Sequence, residues 1–441
     1  MICTNVEIVV MKQKERLQET RVHVYGPDSS NITAQRTRFQ NMTHTFRQKF
    51  GVGECHFFST PGRTEIGGNH TDHNHGCVLA ASINADSIAA ARPNRKNRVT
   101  LWSDGYERAF EVDLNQLEPV SDEEGTTTAL IRGIAAKFAA DGYEIGGFDA
   151  CMASDVLPGS GLSSSASVEV LLGTIFNTLF NNGRITVEKL AHIGQFAENH
   201  YFGKPCGLMD QLACAVGGII AIDFINPGAP VIKKINFDFA SFDYQMMIVD
   251  SGSDHADLTD DYAAIPAEMK AVAASLGAQV CREIDSGQLR RQLPALREQV
   301  GDRACLRALH FLNENDRVRK QVAALENKNM SDFLSLIRLS GNSSFKWLQN
   351  INTPDNTKNQ GVAMALALTE EFLSEVGDGA CRVHGGGFAG TIQAFLPAGS
   401  SDDYAAFIEN IFGKDACHAL QIREQGTLYL GSGDVRNPFS P

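Results

Sequence analysis

The chain has 441 residues, of which 43% are hydrophobic and 21% are charged, a composition typical of a globular protein with two or three domains. Its formal net charge of −13 argues against nucleic acid or an anionic membrane as partner, so we expect a small-molecule ligand. No stretch approaches the roughly 18 apolar residues of a membrane span. The ten cysteines include no C-x-x-C pair, which favours reduced thiols in a cytoplasmic protein over a zinc or disulfide framework.

Strand-like and helix-like segments alternate along most of the chain, which indicates mixed α/β content. Residues 1–35 are interpreted as an N-terminal extension of unassigned role, and a domain boundary is predicted near residue 230. The predicted elements in chain order are a helix at 36–50, a strand at 54–60, a turn-rich loop at 61–76, buried apolar chain at 77–92, strands at 98–103 and 110–114, a helix at 127–142, a strand at 146–157, helices ending near 181 and 201, a helix after 210, a hairpin at 217–239, a strand at 244–252, helices across 262–378, and a strand pair at 381–396.

Residues 156–170, VLPGSGLSSSASVEV, concentrate glycine and serine at the start of a predicted helix. Helical spacing of the apolar residues from Val168 to Leu179 assigns the small residues to the preceding loop and first turn. A helix N-terminus attracts anions, and Gly159 and Gly161 would let a phosphate come close to the backbone. No lysine follows, so the usual phosphate loop is absent. An ordinary flexible loop with a serine N-cap is the alternative interpretation.

The predicted loop at 61–76, PGRTEIGGNHTDHNHG, is dense in hydrogen-bonding side chains. Such a loop suits a ligand rich in hydroxyl groups, because fixed donors and acceptors must replace its water. Three histidines and an aspartate also raise the possibility of a metal site, although their spacing fits no named zinc signature. The candidates are Arg63, Asn69, His70, Asp72, His73, Asn74 and His75.

Two further segments carry candidate residues. In residues 198–211, ENHYFGKPCGLMDQ, Glu198 lies late in one predicted helix and Asp210 opens the next. Either carboxylate has the alternative role of a cap or a solvent-facing charge. Residues 384–390, HGGGFAG, place glycines between apolar strands, which indicates close backbone approach to a ligand or another element, or else a tight hairpin.

These four motifs, in this order and spacing, resemble the signature loops of the galactokinases within the GHMP small-molecule kinases, and the resemblance covers residues 36–400. It implies an α+β, two-domain fold with an N-terminal lobe similar to domain 2 of ribosomal protein S5 (36–230) and a ferredoxin-like C-terminal lobe (231–441). The active site is then expected in the cleft between the lobes. The implied reaction is ATP- and Mg²⁺-dependent phosphorylation of the anomeric hydroxyl of galactose. The oligomeric state stays open, and a monomer is compatible with the sequence.

The resemblance also implies roles for individual residues. Asp210 would receive or orient the proton of the anomeric hydroxyl, and Arg63 would hold Asp210 ionised and neutralise charge on the transferred phosphoryl group. Ser165 and Glu198 would bind Mg²⁺, for which hard oxygen ligands are suited. The remaining implied contacts are Gly159, Gly161, Ser164 and Ser165 with the ATP phosphates, and Arg63, Asn69, His70, Asp72, Asp210 and Tyr262 with the sugar.

Four positions depart from the family pattern. Asn69 replaces a glutamate that usually meets the 6-hydroxyl of the sugar, and His73 replaces a tyrosine. Because an amide can donate to a 6-carboxylate that a glutamate would repel, a uronate kinase is an alternative, as is a kinase of N-acetylgalactosamine. Thr127 stands where a tryptophan often packs near adenine, and Ala389 replaces a glycine.

Two other classes of protein fit parts of the pattern. A non-catalytic sugar sensor related to the galactokinases would be expected to have lost part of the serine loop or of the Arg63/Asp210 pair, yet all are present here. The intact set therefore favours an enzyme. A binding module in which the glycine loops are only structural predicts that Asp210→Asn removes no activity.

Overall fold

The structure is a computed structural model that describes residues 24–25, 29–156, 159, 161–252, 258–353 and 357–435. The predictions made for residues 157, 158 and 160 of the glycine- and serine-rich loop lie outside the described residues, as does most of the predicted extension. The described chain forms two sheets with helices packed against them.

The described strands and helices are numbered here in chain order. The strands are β1 (Glu54–Gly67), β2 (Cys77–Pro93), β3 (Arg98–Ser103), β4 (Phe110–Asp113), β5 (Phe148–Ser154), β6 (Ile219–Asp223), β7 (Val231–Ile235), β8 (Tyr244–Asp250), β9 (Ala380–Val383), β10 (Thr391–Pro397), β11 (Cys417–Leu420) and β12 (Leu428–Asp434). The helices are α1 (Ser29–Phe50), α2 (Thr127–Ala140), α3 (Ser164–Asn181), α4 (Val187–Ala197), α5 (Met209–Val216), α6 (Thr259–Ser275), α7 (Ser286–Val300), α8 (Asp302–Glu326), α9 (Met330–Ser343), α10 (Gly361–Val376) and α11 (Ser401–Phe412). Single π-helical turns span Glu198–Phe202 and Ser344–Leu348.

The first sheet has the order β12-β1-β2-β5-β3-β4, and β6 and β7 extend it from β2. Strand β2 is long enough to pair with β6 through residues 77–81 and with β5 through residues 87–93. The second sheet, β11-β8-β10-β9, is antiparallel throughout. Between the two sheets lies an apolar cluster that includes Ile66, Leu79, Ile248 and Phe395. This shared core fixes one sheet against the other.

Helix α3 starts and stops where the sequence predicts. It runs from Ser164 to Asn181, and Asn182 ends it with φ 54° and ψ 30°, a left-handed conformation that a short polar side chain tolerates. Its apolar face packs into the core of the first sheet, where the Phe176 ring centroid lies 5.5 Å from that of Phe138. Replacing the fully buried Phe176 by alanine would cost about 3–5 kcal/mol.

One predicted element is wrong. Residues 61–67 belong to β1 and not to a loop, because the strand continues to Gly67. Its pairing with β2 shifts register between Pro61 and Arg63 and again between Glu65 and Gly67, and proline and glycine inside a strand mark such bulges as well as turns. Arg63 is therefore held by a paired strand.

Most other predicted elements are present, although α1 begins at Ser29, earlier than predicted, and α11, β11 and β12 were not predicted. The β6–β7 hairpin, strand β8, the helices across residues 262–378 and the antiparallel pair β9–β10 are all present. Residues 77–92, predicted only as buried apolar chain, form β2. The helix predicted to reach residue 201 ends at Ala197 and continues as the π-helical turn that begins at Glu198.

A buried charge cluster joins the two ends of the described chain to the first sheet. Asp86 of β2 accepts hydrogen bonds from Tyr25 at 2.7 Å and from Arg423 at 2.9 Å. Arg38 of α1 and Ser59 of β1 also donate to this carboxylate. Asp86 and Arg423 have no exposed side-chain surface, and a buried carboxylate requires such partners to remain charged.

The division at residues 35 and 230 stays a prediction. Helix α1 crosses the first of these positions. Strands β7 and β12, which follow the second position, pair with β6 and β1 and so lie in the first sheet. The C-terminal part of the described chain thus returns to the sheet in which the fold begins.

Candidate active site

Arg63 and Asp210 form a bidentate (two-point) ion pair. The Arg63 Nε and Nη2 atoms donate to Asp210 Oδ1 and Oδ2, each at 2.8 Å. Arg63 extends from β1, and Asp210 lies in the first turn of α5. The arginine side chain is 6% exposed and the aspartate side chain 32% exposed. The carboxylate therefore stays accessible to a ligand while its cation is buried.

The surroundings of Asp210 keep it ionised. Burial acts to raise the pKa of Asp210. The Arg63 guanidinium and the hydrogen bonds from Arg63 and Ser163 outweigh this effect and hold that pKa below its usual range. A carboxylate of low pKa is fully charged at neutral pH and accepts a proton weakly. Asp210 is thus suited to orienting a hydroxyl group and receiving its proton late in a reaction.

The tip of α3 lies beside this ion pair. Arg63 donates through Nη1 to the carbonyl oxygen of Gly161, and the Ser163 hydroxyl donates to Asp210. Ser163 makes no side-chain capping bond, so the alternative of an ordinary serine N-cap is wrong. Its φ of 61° and ψ of 55° cost about 1–2 kcal/mol for a residue with a Cβ. Ser164 and Ser165 form the first turn, where helix N–H groups lack intrahelical partners.

A glycine allows β1 to approach the serine-rich loop. A Cβ atom on Gly62 would lie 2.8 Å from the carbonyl oxygen of Leu162. The backbone N–H of Arg63 donates to the same oxygen at 3.0 Å. Gly159 and Gly161 have φ values of 77° and 70°, which glycine adopts without the Cβ penalty. The loop is thus held against the strand that carries the arginine.

Ser165 and Glu198 offer two hard oxygen ligands at one place. The Ser165 hydroxyl donates to Glu198 Oε1 at 3.0 Å, and Lys204 Nζ lies 3.6 Å from the same oxygen. The Glu198 side chain is 3% exposed, whereas that of Lys204 is 66% exposed. Mg²⁺ takes one or two protein oxygens and completes its shell with phosphate and water. The residues present therefore fit a magnesium ion.

Two buried side chains that the sequence did not single out lie behind Glu198. Gln211 donates through Nε2 to Glu198 Oε2 and to Glu169 Oε2, each at 2.9 Å. Burial and the nearby Glu198 carboxylate raise the pKa of Glu169 well above its usual value. The position of Gln211 next to Asp210 was the one available signal, and Glu169 gave none beyond its polarity on an apolar helix.

His70 and Tyr262 both contact the glycine-rich segment at 384–390. His70 Nε2 lies 2.9 Å from the carbonyl oxygen of Gly386, and the Tyr262 hydroxyl donates to that of Gly387 at 2.8 Å. A Cβ on Gly386 would lie 2.4 Å from the Tyr262 ring. The segment joins β9 to β10, as a hairpin would, and it also packs on two predicted sugar contacts.

Asp72 connects the 61–76 segment with the 198–211 segment. A Cβ on Gly207 would lie 1.8 Å from Asp72 Oδ2, so the carboxylate packs directly against the segment that leads to α5. His73 is more open, with a side chain 31% exposed and its Nε2 3.8 Å from Asp72 Oδ1. Asp72 therefore lies near the Arg63–Asp210 ion pair, because Gly207 is three residues before Asp210.

Asn69 is enclosed by protein on every side. Its Nδ2 donates to the carbonyl oxygen of Gly385 at 2.6 Å and to Glu65 Oε1 at 3.0 Å. Its Oδ1 accepts from Asn350 Nδ2 at 2.8 Å and from the Ser344 hydroxyl at 3.2 Å. The residue has no exposed surface. The structure therefore does not direct Asn69 at a ligand, its role as a sugar contact stays a prediction, and its amide gives no support to a 6-carboxylate substrate.

His384 connects the 384–390 segment to strand β1 and to the serine-rich loop. Its Nε2 accepts from the backbone N–H of Glu65 at 3.3 Å, and its Nδ1 lies 2.9 Å from Thr391 Oγ1. A Cβ on Gly161 would lie 3.1 Å from that Nδ1. Burial, reinforced by two nearby arginines, lowers the pKa of His384 well below its usual value, so the ring is a neutral structural link.

Two other departures from the family pattern, Thr127 and Ala389, lie in ordinary local structure. Thr127 is the first residue of α2 and is preceded by Thr126, whose side chain caps the helix. Ala389 is buried, and its N–H donates to the Gly387 carbonyl at 2.7 Å. Neither position contradicts a nucleotide site.

Within the described ranges, no group of three or more His, Cys, Asp or Glu side chains is placed to hold a metal ion. The histidines at 70, 73 and 75 thus do not form a metal cluster with Asp72. The nine described cysteines are unpaired. In the described part of the chain, no helix has the length and apolarity required to cross a bilayer.

Comparisons with known proteins agree with the geometry. Residues 129–218 match the model of the GHMP kinases N terminal domain, and residues 44–93 match the galactokinase galactose-binding signature. A galactokinase of Streptomyces coelicolor is 29% identical over 385 residues, which cover 86% of this chain and 94% of the relative. A galactokinase of Lactococcus lactis is 27% identical over 388 residues, or 86% of this chain and 92% of the relative.

Solved structures show the same fold. The crystal structure of Lactococcus lactis galactokinase complexed with galactose has a TM-score of 0.76 and 24% identity, and the match covers 88% of this chain and 98% of that one. A mevalonate kinase has a TM-score of 0.59 and 16% identity over 84% of this chain and 99% of that one.

The two-sheet α+β architecture is the fold of the GHMP kinases, and the predicted fold class is confirmed. The site lies where the strand of the first sheet that carries Arg63 meets the tip of α3 and the segment between β9 and β10. The chain is similar to the GHMP kinases, and within it residues 44–93 match the galactokinase galactose-binding signature.

Proposed function

We propose that this protein is an ATP-dependent sugar kinase that converts galactose to galactose 1-phosphate. The observation that carries this proposal is the two-point Arg63–Asp210 ion pair beside the N-terminus of α3. Galactokinase relatives that are 25–29% identical over most of the chain support galactose as the sugar.

In the proposed reaction, the anomeric oxygen of the sugar bonds to the γ-phosphorus while the bond from that phosphorus to the bridging oxygen of ADP breaks. The hydroxyl proton passes to Asp210. Phosphoryl transfer has a loose transition state, so positioning and charge stabilisation supply most of the catalysis. Arg63 places a fixed positive charge beside the transferred group and holds Asp210 in register.

The phosphate tail would bind at the tip of α3. Unpaired N–H groups and the helix dipole favour negative charge there, and Gly159, Gly161, Ser164 and Ser165 line the approach. When bound at Ser165 and Glu198, Mg²⁺ would neutralise phosphate charge. The contact between these two side chains supports that assignment.

The sugar would bind between the 61–76 segment and the 384–390 segment. His70, Asp72 and Tyr262 are proposed as hydrogen-bonding partners. The packing of His70 and Tyr262 on the glycine-rich segment, and of Asp72 against Gly207, supports a rigid site. Asn69 is proposed to act on the sugar only through the loops that it ties together. The unpaired cysteines further favour a reducing compartment such as the cytoplasm.

The test is ADP release with Mg²⁺·ATP and, in parallel, galactose, talose, galacturonate or N-acetylgalactosamine. We expect the highest kcat/KM with galactose and a product phosphorylated at the anomeric carbon, as read by ³¹P NMR. The highest kcat/KM with galacturonate or N-acetylgalactosamine would replace the proposed substrate. If none of these sugars causes ADP release, in a protein that still binds ATP and galactose, the protein is a sensor.

A further inference from the structure

Glu198, proposed above as a magnesium ligand, is held from behind by a buried pair of side chains. We propose that Gln211 and Glu169 are positioning residues that fix Glu198 for binding of Mg²⁺·ATP. The inference rests on the proposed function and names residues to which the sequence motifs gave no role.

Gln211 fixes one oxygen of Glu198 and leaves the other for a ligand. Its Nε2 donates to Oε2 of Glu198, while Oε1 of the same carboxylate faces the Ser165 hydroxyl at 3.0 Å. A carboxylate anchored through one oxygen cannot rotate the other away from the ion. Hydrogen bonds of this kind to metal ligands change metal affinity about 10–100-fold.

Glu169 determines which way the Gln211 amide faces. Nε2 of Gln211 donates to both carboxylates, whereas its Oε1 is among the buried atoms of the described residues with no hydrogen-bond partner. Turning the amide over would put an oxygen in place of the Nε2 donor beside Glu198 Oε2 and would remove the hydrogen bond that anchors Glu198. Glu169 thus reinforces the one orientation that gives Glu198 a donor.

Close packing leaves this arrangement little freedom. Glu169 and Gln211 have no exposed surface. A Cβ on Gly194 of α4 would lie 3.1 Å from Glu169 Cβ and 3.4 Å from Gln211 Cγ. The helix can approach the pair this closely because residue 194 is a glycine, and the approach confines both side chains.

The experiment titrates Mg²⁺ against full-length protein and a non-hydrolysable ATP analogue, with binding followed by calorimetry. We expect Gln211→Leu to raise the Mg²⁺ concentration for half-maximal binding about 10-fold, with metal-free nucleotide binding unchanged. Glu169→Leu should shift it in the same direction. Glu169→Gln should stay close to the wild type, because a glutamine can still present an oxygen to Gln211.

Asn177→Leu is the matched control. Asn177 is a buried amide of α3 whose side chain, among the described residues, bonds the backbone of Ile185 at 2.9 and 3.1 Å, so its loss should lower the unfolding temperature without changing the Mg²⁺ dependence. If Gln211→Leu behaves like this control, the inference is overturned while the proposed function stands. A wild-type protein that binds the analogue equally with and without Mg²⁺, or releases no ADP with any sugar, would instead overturn the proposed function and this inference with it.

Discussion

Arg63 and Asp210 meet edge to edge, with two nitrogens of one guanidinium on two oxygens of one carboxylate at 2.8 Å each. The third Arg63 nitrogen bonds the carbonyl oxygen of Gly161. One planar group thus connects the proposed proton acceptor to the loop at the tip of α3. A lysine has no comparable fork and would satisfy one of these partners at a time.

Arg63→Lys should therefore reduce kcat about 100-fold, while calorimetry shows ATP binding close to the wild type. Arg98→Lys is the control, because the Arg98–Glu111 pair is about half exposed on both sides and such pairs contribute little. A kcat for Arg63→Lys equal to that of the control would contradict the assignment.

Asp210→Asn should lower kcat about 10³-fold, because the amide keeps the shape of the side chain but cannot receive the hydroxyl proton. ATP binding should remain. The measurement pairs steady-state ADP release with calorimetry on the same preparation. Turnover at the wild-type rate would contradict the role of Asp210 as proton acceptor, whereas the binding-module interpretation expects no sugar-dependent ADP release from either the wild type or the variant.

The pH dependence of kcat follows from the pKa of Asp210, which is held below its usual range. The proton-accepting form exists above that pKa, so it is complete from about pH 5 upward. We expect no loss of kcat from this residue between pH 5 and 8. Ser163→Ala removes one hydrogen bond that lowers the pKa, and an acid limb near neutrality that moves to higher pH in this variant would contradict the expectation.

Acid should destabilise the fold through His310. Burial lowers the pKa of His310 to about 3, against about 6.5 in the unfolded chain. Between these values the unfolded state binds more protons, so the free energy of unfolding falls as pH falls below about 6.5, by up to about 1.4 kcal/mol per pH unit. His310→Gln should be less stable than the wild type at pH 7.5, and urea titrations should show the difference shrinking toward pH 5. Parallel stability curves would refute this.

Asn69→Ala should cost about 3 kcal/mol in unfolding free energy, because it leaves several buried groups without partners. The exposed Asn97→Ala is the control, since its bond to Asn115 lies at the surface. In the remaining active protein, the preference for galactose over 6-deoxygalactose should be unchanged, because no polar atom of Asn69 is free to bind the 6-hydroxyl. A lost preference would restore the direct sugar contact that the motif implies.

The sequence predicted the site better than it predicted the contacts within it. The order and spacing of the motifs predicted that Arg63, Asp210 and the serine-rich helix lie together, and the structure shows that they are in contact. Local patterns failed where the outcome depends on distant partners. Proline and glycine at 61–67 indicated a turn until pairing with β2 made them bulges, and Gln211 gains its role only from carboxylates 13 and 42 positions away.

The pairing of β12 with β1 has a consequence for how the protein is made. Strand β1 receives its outer neighbour from residues 428–434, so the first sheet keeps an unpaired edge until those residues have left the ribosome. Such an edge is open to wrong partners during synthesis. Truncation before residue 428 should consequently harm the solubility of the nascent chain, although β12 contributes no residue to the proposed active site.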